Sequence, residues 1–222
     1  MTGVFTLSLP LPPVDESEVL RYAACFEPDE NTIALLRSCT AEAQGVLQGR
    51  VCWCRAEVGT LVNGCTLGAL ELPSLDLRSN LSGCKEAVVF GATLGVGMDR
   101  LINKYGYISP AKALMLQALG SERIEALCDS FCKYIGQELG AHLRSRYSPG
   151  YGDLPLESQR DIFALLDCPK NIGLCLTEGL VMTPSKSVTA VCGIASTCLG
   201  SYDNPHKCGL CPKTDCLFRR TV

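Results

Sequence analysis

The sequence predicts a single domain that mixes long amphipathic helices with short, largely buried strands. Three observations carry this. Pro110 to Leu139 places Leu114, Ala118, Ile124, Leu127, Phe131 and Ile135 at helical spacing, a suitable core-facing set. Val51 to Leu77 is instead a series of short apolar runs broken by Gly59, Asn63-Gly64, Gly68 and Pro73. No internal repeat and no Pro/Gly/Ser-rich linker divides the 222 residues.

Taken in order, residues 1–14 are apolar and proline-rich and read as an extended arm on the body. Val19, Tyr22, Ala23 and Phe26 form one helical stripe, and Ile33, Leu36 and Val46 another, with Pro28 between them. Two helices joined by a short turn are expected. Val51 to Cys54 and Leu61-Val62 read as strands, with Asn63-Gly64 as a tight turn. Leu75 to Leu81 reads as a short helix, and Glu86 to Phe90 as a buried strand followed by a loop over Gly91 to Gly97.

Helices are expected over Met98 to Tyr105 and Pro110 to Leu139, the second opened by Ser109 as cap and Pro110 in the first turn. A turn at Arg146 leads to a helix over Leu156 to Leu166. Strands are expected over Ile172 to Thr177 and Ser187 to Ile194.

Composition narrows the function classes. A hydrophobic fraction of 47% with 19% charged residues describes a folded chain rather than a disordered one. Net charge is −3, the basic residues are scattered, and aromatics make up 6%. That excludes the basic, aromatic-studded surface expected of a nucleic-acid binder. The longest apolar runs, such as Ala87 to Val96, are too short to span a bilayer, so no membrane partner is expected. Met1 to Pro13 lacks a basic start followed by an apolar core, and a cytoplasmic location is expected.

Fifteen cysteines, an odd number, are the anomaly. Cys25, Cys39, Cys128, Cys132, Cys175 and Cys192 sit in apolar segments, where free cysteine acts as a small hydrophobe in a reducing cell.

Four stretches invite a chemical reading. The glycines after EAVVF follow a strand and precede a helix, as in a phosphate cradle. Their spacing is not G-x-G-x-x-G and no Walker lysine follows, so a sharp strand-to-helix turn is the preferred reading. Arg146-x-x-Pro149-Gly150-Tyr151 joins a bidentate carboxylate binder to a rigid turn whose backbone can read a flat base, with Tyr151 placed to stack or meet a ribose. A small zwitterion suits it; a surface turn closed by a salt bridge is the competing reading.

Thr177-Glu178 ends an apolar strand, where a charge is costly unless exposed or partnered. Glu178 reads either as a hold on an ammonium or ribose hydroxyl or as an ion pair with Lys186 or an arginine. Glu125 carries the same two readings. In the tail, Cys208-x2-Cys211-x4-Cys216, with Cys198 or His206 as fourth ligand, has spacing for zinc or an iron-sulfur cluster; a loose cysteine-rich tail is the alternative.

Together these pieces resemble the activation domain of cobalamin (vitamin B12)-dependent methionine synthase. EAVVFGATLGVGMDRL resembles its strand, glycine-rich turn and helix, and ALGSERIEALCD its long helix, with Glu125 at an acidic ligand-contacting position. RYSPGYGDLPLESQ matches the R-x-x-P-G-Y part of R-x-x-P-G-Y-P-A-C-P, and LTEGLVMTPSKSV resembles L-T-E-S-x-x-M-x-P. The likeness runs from about Glu86 to Ile194.

It implies an α+β fold, a bent antiparallel sheet flanked by helices. It also implies S-adenosylmethionine (AdoMet) bound by Glu125, Arg146, Pro149, Gly150, Tyr151, Thr177 and Glu178, with no acid-base catalyst. The partners implied are a corrinoid protein or split methionine synthase carrying the cobalamin, and a flavodoxin-type electron donor. The chain departs from the pattern at Gly152-Asp153-Leu154-Pro155, which replaces P-A-C-P. The expected organisation is a helical and short-strand portion over 1–84, the activation-domain-like core over 85–195 and a cysteine-rich tail over 196–222. The alternative function is a non-catalytic corrinoid-protein partner whose tail binds zinc or an iron-sulfur cluster.

Overall fold

Alternation along three long strands builds the centre of the molecule, seen in a computed structural model that describes residues 3–195. The elements run β1 (Phe5–Ser8), α1 (Glu16–Tyr22), α2 (Glu30–Gln44), β2 (Arg50–Leu61), β3 (Gly64–Leu67), β4 (Leu70–Leu72), α3 (Leu75–Asn80) and β5 (Glu86–Thr93). They continue with α4 (Val96–Ile108), α5 (Pro110–Leu139), β6 (His142–Leu143), α6 (Ser158–Leu166), α7 (Cys168–Ile172), β7 (Cys175–Leu176), β8 (Met182–Thr183) and β9 (Ser187–Ala195).

One antiparallel sheet runs in the order β4-β3-β2-β5-β9-β6, with β1 also paired to β2; β7 and β8 form a separate ribbon. Strand β5 is central. It pairs with β2 from Glu86↔Glu57 to Thr93↔Arg50 and with β9 from Glu86↔Ile194 to Thr93↔Ser187. Because side chains alternate across a strand, each central strand feeds two cores. Val51, Val88, Phe90, Ala190 and Cys192 pack with Leu127, Cys128 and Phe131 of α5. Cys52, Val89 and Val191 pack on the other side with Phe163, Leu166, Cys168 and Ile172 of α6 and α7. A third cluster joins α1, α2, α4 and the first half of α5 through Val19, Leu36, Met98 and Leu119. The architecture is α+β, and β2, from the first 84 residues, lies hydrogen-bonded beside β5 in the centre of the sheet.

Local chemistry sets the ends. Asp15 caps α1 by accepting from the amides of Ser17 and Glu18, and Asp29 caps α2 by accepting from Thr32. Pro110 occupies the first turn of α5, where its missing N–H costs nothing, and Gly140 ends that helix in the left-handed region.

Several expectations need correction. The loop expected over Gly91 to Gly97 is mostly regular structure: Gly91 to Thr93 continue β5 and Val96 opens α4, leaving only Leu94-Gly95 between them. The turn expected at Asn63-Gly64 is made by Val62-Asn63. Gly64 already belongs to β3, where a Cβ would run into the backbone of Leu72 to Ser74. The strand expected over Ile172 to Thr177 shrinks to Cys175–Leu176, because Cys168 to Ile172 coil into α7, with Pro169 in its first turn. Leu114 is 59% exposed and Phe26 lies outside the core, while Ala118, Ile124, Leu127, Phe131 and Ile135 are buried as expected. Of the apolar-segment cysteines, Cys39, Cys128 and Cys192 are buried, whereas Cys175 is exposed on the edge ribbon. Among the described residues no helix is long and apolar enough to cross a membrane.

Candidate functional site

The candidate site starts from the backbone of Tyr147. Its N–H donates to the Val191 carbonyl, and the Val191 N–H donates back, each at 2.9 Å. With the Arg144 N–H donating to the Gly193 carbonyl at 2.8 Å, this bridge holds residue 146 beside β9, and the Arg146 side chain spans to α5. There it donates to Glu125 at 2.7 Å and also to Asp129. Those two acids are four residues apart, one turn along the same helix face. The Arg146 side chain is 24% exposed, against 43% for that of Glu125 and 72% for that of Asp129. Burial opposes the charge on Arg146, but Cys128, Asp129 and Glu125 more than offset it, so its pKa is held above the ordinary arginine value. The group stays cationic throughout.

Beyond Arg146 the chain makes a tight, internally bonded loop. Gly150 lies at φ +87°, open to glycine at little cost, and donates to the Leu154 carbonyl at 2.9 Å. Tyr151 N–H donates to Ser148, and the Tyr147 hydroxyl donates to the Tyr151 carbonyl at 3.1 Å. The Tyr151 ring meets the Tyr147 ring edge-on at 6.2 Å and is 58% exposed.

Of the three residues that depart from P-A-C-P, Gly152, Asp153 and Leu154, the last two have a visible task. Leu154 is buried in the core, and Asp153 fastens the loop to the start of α3. Its carboxylate accepts from the amides of Leu75 at 2.7 Å and Asp76 at 3.2 Å and from the Ser74 hydroxyl. These bonds, the Ser74 hydroxyl foremost, hold its pKa below the usual carboxylate value. Asp129, Asp153 and Tyr147 were not among the residues expected from sequence. For Asp129 a signal existed, an acid one helical turn from Glu125; for Asp153 the partner is 77 to 79 residues away, with no local trace.

Thr177 and Glu178 are not at the end of a buried strand. They form the exposed tip of the β7-β8 ribbon, where a charge needs no buried partner. Thr177 fixes the turn: its hydroxyl accepts from the Val181 amide at 3.0 Å and its carbonyl from Leu180, which stands at φ +62°. The tip is tied to α6 by Arg160, which donates to the Glu178 carbonyl at 2.7 Å. Lys186, offered as an ion-pair partner for Glu178, instead donates to the Ser121 hydroxyl at 3.0 Å. Burial lowers its pKa, with Asp99 acting in the opposite sense.

Arg146 and Glu125 are thus in contact and Pro149 to Tyr151 continue the same turn, whereas Thr177-Glu178 are tied to α6, which packs on the other face of the sheet from α5. The tail ligands Cys198, Cys208, Cys211 and Cys216 lie outside the described residues. Among the described residues no group of three or more metal-ligating side chains gathers.

Comparison with known proteins adds two findings. Residues 78–198 match the family described as vitamin B12 dependent methionine synthase, activation domain. That stretch is 121 of the 222 residues, more than half of the chain. Among solved structures, a crystal structure of the MetH reactivation domain bound to AdoHcy superposes with a TM-score of 0.64 at 13% sequence identity. The match covers 86% of this chain and 78% of that one, and the likeness is one of fold. No curated protein matches the chain.

Proposed function

The chain belongs to the vitamin B12 dependent methionine synthase activation domain family, and from that premise we propose that it binds AdoMet and presents the methyl sulfonium to a cobalamin carried by another protein. The observation that carries the proposal is the contact of Arg146 with Glu125 of α5, just ahead of a turn in which Pro149 is buried and Gly150 and Tyr151 are exposed. A guanidinium and a carboxylate side by side match the carboxylate and ammonium of an amino-acid ligand. The MetH reactivation domain, whose fold this chain shares, was crystallised with AdoHcy.

In this reading Arg146 takes the ligand carboxylate in a two-pronged contact. Asp129, the more exposed of its two present partners, gives way. Glu125 turns to the ligand ammonium and the turn at 149–151 lies along the adenine with Tyr151 beside the ribose; Thr177 and Glu178 are assigned to the ligand by the family pattern alone. Bound AdoMet supplies an electrophilic methyl group, so the chain contributes position and orientation rather than a proton donor or acceptor. The partner is a corrinoid protein or split methionine synthase, and a flavodoxin-type donor supplies the electron that returns the oxidised cobalamin to its methyl-accepting state.

Isothermal titration of the protein with AdoMet tests the binding step. Saturable binding is expected, weakened at least tenfold in Arg146→Ala and substantially in Glu125→Gln. Absence of binding at millimolar ligand, or equal affinity in the Arg146 variant, contradicts the proposal.

A further inference from the structure

On the face of the sheet away from Arg146, two cysteines meet that nothing in the proposed function uses. Cys52 on β2 and Cys168 at the start of α7 sit sulfur to sulfur at 3.8 Å, both without exposed surface. They come from elements 116 residues apart in sequence. The strand register explains how two sulfurs fit there. Cys52 stands opposite Gly91 of β5, and a Cβ at Gly91 would lie 3.2 Å from the Cys168 sulfur and 3.5 Å from that of Cys52. Glycine leaves the floor of the pair open. Either thiol can donate across this contact, and a thiolate formed at one sulfur, with Cys52 the one whose pKa is lowered, is held by the hydrogen bond from the other.

We propose that Cys52 and Cys168 are an internal redox-modification site, a dithiol that a small peroxide closes into a disulfide joining β2 to α7. The Cys52 thiolate attacks hydrogen peroxide, breaking its O–O bond to give a sulfenic acid and hydroxide. The Cys168 sulfur then attacks the Cys52 sulfur, the S–O bond breaks, and water leaves as the S–S bond forms. Overall two thiols and one peroxide give one disulfide and two waters, so two electrons pass from sulfur to oxygen. Because α7 has only five residues and ends at Gly173, in the left-handed region, local opening of this short helix admits a small oxidant. The same helix leads directly into the β7-β8 ribbon, so closure fixes the base from which that ribbon projects.

The test treats the full 222-residue protein with hydrogen peroxide, alkylates it in denaturant and maps the peptides by mass. The expected product is a peptide pair linking Cys52 to Cys168, two hydrogens lighter than the reduced pair and restored by a dithiol reductant. In Cys168→Ser, Cys52 should instead proceed to sulfinic acid, gaining two oxygens, because no resolving thiol stands beside it. Gly91→Ala should lower the linked fraction severalfold by crowding both sulfurs. The proposal is overturned if other cysteines oxidise while the Cys52–Cys168 link stays absent. It is equally overturned if Cys52 oxidises to the same product with and without Cys168. AdoMet binding plays no part in these readouts, so they stand independently of the proposed function.

Discussion

Replacing Asp129 with asparagine should tighten AdoMet binding, which is the reverse of what removing a ligand contact does. Arg146 is shared between Glu125 and Asp129, and the proposed ligand carboxylate takes the place of Asp129. Any free energy that holds Asp129 on Arg146 is therefore lost when AdoMet binds. Asp129 is 72% exposed, so the pair belongs with surface ion pairs, worth about 0.2–1 kcal/mol after solvent screening. Removing that competition should raise affinity by about 1.4- to 5-fold, since about 1.4 kcal/mol corresponds to tenfold.

Removing the pair should lower the stability of the unliganded protein by the same small amount, about 0.2–1 kcal/mol. Calorimetric titration of both proteins at low and at high salt is the assay. The gain should shrink as salt screens the wild-type pair. An unchanged or weaker affinity in Asp129→Asn would refute the displacement step.

Three further outcomes follow from the packing and the charges. Phe131→Ala removes a fully buried ring whose centroid lies 4.8 Å from Phe90, and should cost about 3–5 kcal/mol in urea unfolding; Leu114→Ala on the exposed side of the same helix should stay within about 0.5 kcal/mol. Gly152→Ala should destabilise the Arg146 loop, because the position stands at φ +50° and a Cβ there would strike the Tyr147 hydroxyl and the Asp76 carboxylate; a lowered melting temperature and weaker AdoMet binding report it together. Glu42 is held at about 2, below its ordinary 4.5, chiefly by Lys112 and then by the Tyr105 hydroxyl, so its contribution is present above about pH 4.5 and lost as pH falls through about 2; in acid titrations Glu42→Gln should flatten the stability slope within that window.

Long-range pairing decides how much of this could be read from the sequence. Helix α5 was legible from end to end, because its apolar spacing and the flanking Ser109-Pro110 are local signals. The strands at Glu86 and Ser187 were legible for the same reason. The extent of β2 was not: Arg55 to Thr60 contains polar and charged positions that become strand only through their partners in β3 and β5. Gly91 misled because glycine after an apolar run resembles a turn. Here it stays in the strand so that the Cys52 and Cys168 sulfurs can lie over it.

At the candidate site, the R-x-x-P-G-Y residues announced a rigid charged turn, and Glu125 drew notice through the family pattern. The contact between Arg146 and Glu125 depends on the Tyr147–Val191 bridge, which brings residue 146 from the loop to α5. Gly152, Asp153 and Leu154 depart from the family motif. In the fold Asp153 ties this stretch to the start of α3.

A crystal structure of the protein soaked with AdoMet tests the central claim most directly. The account predicts the ligand carboxylate on Arg146, Asp129 turned away, Glu125 at the ammonium, and the adenine along residues 149–151. A ligand bound elsewhere while Arg146 still holds both Glu125 and Asp129 would contradict it.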